Sequence, residues 1–138
     1  PASMAGYWAN WAGDHRMVTI RTSTSSSNSA RIEHRTADGA GNPYIVTSSV
    51  LTASLLGIKN KYKLPKAEDL DGMENVRATK HVPSSLSKAL SALENDSVLK
   101  SEIGEKFCNA FIEIKRDEAT RLQDKSIDEV REYYLPFV

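Results

Sequence analysis

The chain has 138 residues, room for one domain with a single core, and its 18 Lys and Arg cancel its 18 Asp and Glu. That balance supplies no bulk field for nucleic acid or an anionic membrane, so any anion binding must rest on local arrangement. No apolar run approaches the roughly 18 residues of a membrane span, and the lone Cys108 excludes an internal disulfide. With no basic-then-apolar leader, a reducing cytoplasm is the expected setting.

In chain order, the opening PASMAGYWANWAG packs Tyr7, Trp8 and Trp11 into its first dozen residues. Aromatics that dense pack on something, and the opening reads as the interior of a larger protein. From Tyr7 to Arg35 the pattern is β: RMVTIRT and RIEHRT have the β-branched content and near-alternation of strands. The polar STSSSNS between them suits a hairpin connection, so the two strands are expected to pair antiparallel. Asn42 then offers a helix N-cap with Pro43 at the first helical position. The helix YIVTSSVLTASLLGI is expected to stop at Gly57 and, being small and apolar on most faces, to be buried all round.

Residues 59–83 show no periodicity and hold two prolines and a glycine. Their four lysines up to Lys66 read as a solvated basic face at a helix end rather than an anion site. Three helices are expected after that. SSLSKALSALEND starts at Ser84 or Ser85 with a Leu86, Leu90, Leu93 stripe. SEIGEKFCNAFIEIKRDEATRLQ sets Ile103, Phe107, Phe111, Ile114 and Glu118 on one side, with Cys108 a buried structural thiol. SIDEVREYYLPFV opens with a capping box from Ser126 to Glu129.

The chemistry gathers on the second strand. Side chains alternate with a period of two, so Arg31, Glu33 and Arg35 share one face while Ile32 and His34 take the other. The three span roughly 13 Å at about 3.3 Å per residue. Glu33, flanked by cations, stays ionised and is a hard oxygen ligand suited to Mg²⁺ or Mn²⁺. The arginines fork onto carboxylate or phosphate oxygens, and Arg16 and Arg21 add to the same face. This set suggests a phosphorylated substrate held with a metal; an exposed salt-bridged ladder satisfies the same spacing equally well. His15, His34 and His81 lack metal-ligand spacing, DGAGNP is not a P-loop, and the serines lack a nucleophile-elbow context.

NWAGDHRMVTIR, ARIEHRTADGAGNPY and LLGIKNK, followed by LSKALSALENDSVLKSEIGEKFCNAFIEIKRDE and a closing LPFV, resemble in order and spacing the C-terminal part of the glutamine synthetase family. The resemblance covers essentially the whole chain and only the last third of such an enzyme. It implies an α+β fragment: an antiparallel hairpin of the catalytic sheet followed by about four helices, with 1–41 carrying the site strands and 42–138 the helical scaffold and its 59–83 loop.

It implies ATP with Mg²⁺ or Mn²⁺ as cofactors, and glutamate with ammonia or an amine as substrates, joined through a γ-glutamyl phosphate. By the same resemblance Arg16 contacts the transferring phosphoryl group, Arg21 and Arg31 the nucleotide phosphates, and Arg35 the substrate glutamate and its phosphorylated form, while Glu33 is a metal ligand.

Departures are His15 where the family commonly has Asn, no proline after IRTST, a slightly shorter hairpin loop, and no tyrosine in the adenylylation setting. The upstream metal-binding glutamates and the β-grasp domain implied by the resemblance are not in these 138 residues, and family sites lie between subunits of a homo-oligomeric ring. The isolated piece is therefore expected to be inactive and to self-associate through uncovered apolar surface. The rival reading is a non-catalytic structural or interaction module that keeps the fold.

Overall fold

The computed structural model describes residues 7–23, 27–69 and 77–137. They form two compact units, one from 1–37 with 62–82 and the other from 38–61 with 83–138.

The first unit carries a three-stranded sheet in the order β1 (Trp11–Gly13), β2 (Ile20–Ser23), β3 (Arg31–His34). The expected antiparallel pair is β2 with β3, in a register that sets Arg21 opposite Glu33 and Ser23 opposite Arg31. The sequence reading did not separate β1, which pairs parallel to β2. Its three residues, Trp-Ala-Gly, are too few to show a period. Packing starts ahead of β2, where Val18 and Thr19 are buried. There the Thr19 N–H donates to Asn10 Oδ1 at 3.1 Å and the Thr19 hydroxyl to the Trp8 carbonyl at 2.6 Å. Of the Ser-rich link, Ser27–Ser29 form a 3₁₀ turn; residues 24–26 lie outside the described part.

The long connection after the first helix folds back on these strands. Glu68 N–H donates to the Trp11 carbonyl at 3.0 Å, Trp11 Nε1 to the Pro65 carbonyl at 2.9 Å, and His81 bridges to Trp8. The free edge of β1, which otherwise exposes an unpaired ladder, is thereby partly covered. Lys61, Lys63 and Lys66 are all exposed, as a solvated basic face requires.

The second unit has five helices where about four were expected: α1 (Pro43–Lys59), α2 (Leu86–Asn95), α3 (Ser97–Ile103), α4 (Glu105–Leu122) and α5 (Ile127–Tyr134). The extra helix arises because Asp96 caps a new start, accepting from Leu99 N–H at 2.9 Å. Gly104, at φ +116, then separates α3 from α4. A side chain is strained at that φ, so the break falls on the residue that lacks one.

Asn42 caps α1 as expected, its Oδ1 accepting from Tyr44 and Ile45. The helix does not stop at Gly57, however; it runs to Lys59 and ends through Asn60 and Lys61, the latter at φ 52. Nor is α1 buried all round: Leu56 is its only buried residue, and a whole face is open. Ser85 caps α2, and the Ser126–Glu129 capping box of α5 is complete.

The core of this unit is small: Leu56, Leu90, Cys108 and Ile112. On α4 the buried side turns through Cys108, Ile112 and Glu118, so Ile114, placed on that side by its spacing, instead faces outward. Polar links tie the helices together, Lys59 Nζ to Glu102 at 2.7 Å and Arg116 to Glu94.

Candidate functional site

The register of β2 against β3 builds the site. Directly opposed residues of an antiparallel pair bring their side chains within about 5 Å, so Arg21 reaches the carboxylate that Arg31 and Arg35 flank along the strand. Arg21 Nη1 donates to Glu33 Oε1 and Oε2 at 3.1 and 3.2 Å. Arg35 Nη1 donates to Oε2 at 3.3 Å, and Arg31 Nη2 reaches Oε1 at 3.5 Å. The second guanidinium nitrogen of Arg21 pairs with Asp14 Oδ1 at 3.1 Å.

Asp14 is the residue that sequence reasoning missed. It follows β1 at φ 50, a left-handed conformation that Asp tolerates better than most residues, and its N–H donates to the Thr22 carbonyl at 2.9 Å. The signal available was the Gly13-Asp14 pair directly before His15-Arg16.

Partial burial by itself raises the pKa of Glu33; the Arg21 guanidinium opposes this first and most strongly, then Arg31 and Arg35, so the net shift is downward. Arg21 is held more basic than usual, chiefly by its bond to Asp14 and against the effect of burial. Three guanidiniums face two carboxylates, leaving one net positive charge on the face. The Nε atoms of Arg21 and Arg35 are buried without an acceptor among the described residues. An unsatisfied charged donor is costly, and an incoming oxyanion is a natural partner for it.

The structure thus brings together four of the five expected residues. Arg16 stands apart: it is exposed in the β1–β2 connection and makes no ion pair among the described residues. Beside it, His15 Nδ1 accepts the Met17 N–H at 3.1 Å, a turn-closing bond that an Asn side chain also makes. His34 lies on the opposite sheet face, as alternation requires, with its ring 3.3 Å from Thr36 Oγ1, and His81 stacks on Tyr7.

As a metal ligand Glu33 fits by chemistry, being an ionised hard oxygen donor, but not by number. Among the described residues no three His, Cys, Asp or Glu cluster into a metal site. A divalent ion here needs further ligands from a nucleotide or from other protein.

A family model, the catalytic domain of glutamine synthetase, matches residues 1–134. Glutamine synthetase of Staphylococcus aureus (strain MW2) is 33% identical over 141 aligned positions that cover 98% of this chain. That of Staphylococcus epidermidis is 31% identical over the same span. A solved structure described as "Apo GmaS without ligand" superposes with a TM-score of 0.74 at 29% identity, covering 92% of this chain and 30% of its own. The chain spans 32% of the length of the curated relatives. With the family model matching all but the last four residues, the chain belongs to the glutamine synthetase family.

Proposed function

We propose that these residues form the nucleotide- and phosphate-contacting portion of an ATP-dependent ligase that joins glutamate to ammonia or another amine through a γ-glutamyl phosphate. The observation that carries the reading is the Arg21–Glu33–Arg35 ladder, extended by Arg31: a charge-satisfied face that retains a net positive charge and buried, unpaired guanidinium donors. Such a face suits a polyanion, and phosphoryl transfer asks a protein mainly for positioning and charge stabilisation.

In this reading Arg21 and Arg31 hold nucleotide phosphates, Arg35 orients the substrate carboxylate and its phosphorylated form, and Arg16 reaches the transferring group. Glu33 contributes one carboxylate to a bound Mg²⁺ or Mn²⁺, which supplies charge neutralisation to the phosphates. Both oxygens of Glu33 are already engaged by guanidiniums, so a bare cation meets net repulsion. Glu33 would hold a divalent ion only once phosphate oxygens had replaced it on Arg21, Arg31 and Arg35, and the ion would then supply charge neutralisation to those phosphates.

The complete catalytic constellation needs ligands beyond these 138 residues, so the isolated chain is proposed to be inactive, and the family ring to be the working form in the cytoplasm. The rival reading, a structural module, has no need to keep all of Arg16, Arg21, Arg31, Glu33 and Arg35, although a salt-bridged ladder uses four of them.

The test is a chimera of the Staphylococcus aureus glutamine synthetase in which the matched third is replaced by this chain. Phosphate release is followed with glutamate, ATP and either ammonia or a panel of amines. Glutamate-dependent release that is abolished by Glu33→Ala and Arg35→Ala is the expected result. Release that persists in both variants, or a folded chimera that no amine drives, refutes the ligase reading.

A further inference from the structure

We propose that Asp14 is a positioning residue for the phosphate site, keeping the Arg21 guanidinium aimed once Glu33 has been displaced from it. The proposal rests on the reading that phosphate oxygens take the place of Glu33 on the ladder. Among the described residues, Arg21 is the one ladder cation tied to two carboxylates. Its Nη1 donates to both oxygens of Glu33, at 3.1 and 3.2 Å, and its Nη2 to Asp14 Oδ1 at 3.1 Å. The ion pairs of Arg31 and Arg35 are with Glu33 alone.

Sheet order makes the two anchors independent. Arg21 stands on the central strand, with Glu33 on β3 to one side and Asp14 just past the end of β1 on the other. An anion taking the Glu33 position leaves the bond on the β1 side in place. Asp14 is itself fixed, because its N–H donates to the Thr22 carbonyl, next to Arg21, at 2.9 Å. A guanidinium rides on a long flexible stem and regains rotamer freedom when its last anchor goes. The buried Nε of Arg21, which has no acceptor among the described residues, keeps one direction only while an Nη is held.

The plainer role for Asp14 is charge tuning, since its carboxylate, with a side chain 63% exposed, lowers the positive charge that the ladder presents to a polyanion. Two substitutions separate the roles. Asn keeps an acceptor oxygen and tolerates the φ of 50 found at this position, whereas Gly adopts that φ freely and has no acceptor. Both remove the same charge, so the difference between them reports the acceptor. Charge tuning makes both variants bind ATP more tightly; positioning makes Asp14→Gly weaker and spares Asp14→Asn.

The first measurement needs no ligand and uses the 138-residue chain. Nitrogen-15 NMR follows solvent exchange of the Arg21 Nε–H in Glu33→Ala, which removes the competing anchor, and in Glu33→Ala with Asp14→Gly. Glu33→Gln replaces Glu33→Ala if the alanine chain does not fold. Exchange should stay slow in the single variant and become at least about tenfold faster in the double variant. Fast exchange in the single variant overturns the proposal, because Asp14 then does not hold Arg21. Slow exchange in both overturns it too, because something else does.

The second measurement is steady-state kinetics in the same chimera. Asp14→Gly should raise the KM for ATP about tenfold and leave that for glutamate within about twofold, with Asp14→Asn restoring most of the loss. Unchanged ATP constants in Asp14→Gly, or equal shifts in the two variants, overturn the proposal. A chimera that no amine drives sinks the ligase reading alone, and the exchange measurement still decides whether Asp14 holds Arg21.

Discussion

Removing the Tyr134 hydroxyl tests whether α5 is fastened to α4 by a buried ionised carboxylate. Glu118 is 9% exposed, accepts Lys115 Nζ at 2.7 Å and also accepts the Tyr134 hydroxyl. Burial raises its pKa, but the bonds from Lys115 and then Tyr134 outweigh that and bring it below the ordinary value. The same environment, burial first and the Glu118 bond second, pushes Tyr134 from 10.0 up to about 12.

A hydrogen bond to a charged group is worth about 1.5–3 kcal/mol. Because Glu118 keeps Lys115, Tyr134→Phe is expected to cost about 1.5 kcal/mol, at the low end of that range. The pH dependence is specific. A raised phenol pKa contributes stability that is complete below pH 10 and is lost as pH climbs through about 12. Two units are worth roughly 2.7 kcal/mol, and on the order of 2 after allowing for solvent screening at a half-buried ring.

Urea titrations followed by helical circular dichroism, run on both proteins from pH 7 to 12, read this out. The difference between them should be flat to pH 10 and then shrink. A Glu118→Gln partner variant completes a double-mutant cycle with a coupling of about 1 kcal/mol. Equal stability of Tyr134→Phe at pH 7 together with an unchanged alkaline limb would refute the fastening.

Four further outcomes follow from other elements. Leu90→Ala, at a position 3% exposed in the small helical core, should cost about 2–5 kcal/mol in the same urea assay. Gly104→Ala forces a side chain onto φ +116 and should cost about 1–3 kcal/mol, seen as a lower thermal midpoint. Glu129, held at about 2 by Lys125 and then by the Ser126 N–H and hydroxyl, stabilises α5 above its unfolded value near 4.5. That contribution fades as pH falls towards about 2, so Glu129→Gln should lower helicity at pH 6 and converge with the parent in strong acid. Glu33→Gln leaves three guanidiniums without their shared carboxylate; its thermal midpoint should fall at neutral pH, more so at low salt, and rejoin the parent's as acid protonates Glu33 below its ordinary range.

What the sequence made legible follows the range of each interaction. Caps act over three residues, so Asn42 and the Ser126–Glu129 box could be read directly. Strand alternation is equally local, and it put Arg31, Glu33 and Arg35 on one face correctly. Chain ends set by backbone φ were less legible. Gly57 looked like a stop and was not, because nothing at that position demands a left-handed residue, whereas Gly104 does and splits what read as one helix. The parallel β1 strand needed knowledge of which segment lies beside Ile20, and the role of Asp14 depends on that pairing, since it reaches Arg21 only because Gly13 sits opposite Thr22.

The burial of α1 failed for a different reason, and an instructive one. Its composition describes the environment for which the sequence is suited, an interior, while the structure shows the environment these residues provide, a half-covered flank. The ladder on β3 makes a statement in charge, with guanidinium donors buried and unpaired and, among the described residues, no third His, Cys, Asp or Glu grouped with Glu33 where a divalent ion needs several ligands. The open helix face and the sparsely liganded carboxylate thus have separate physical readings, one in packing and one in electrostatics.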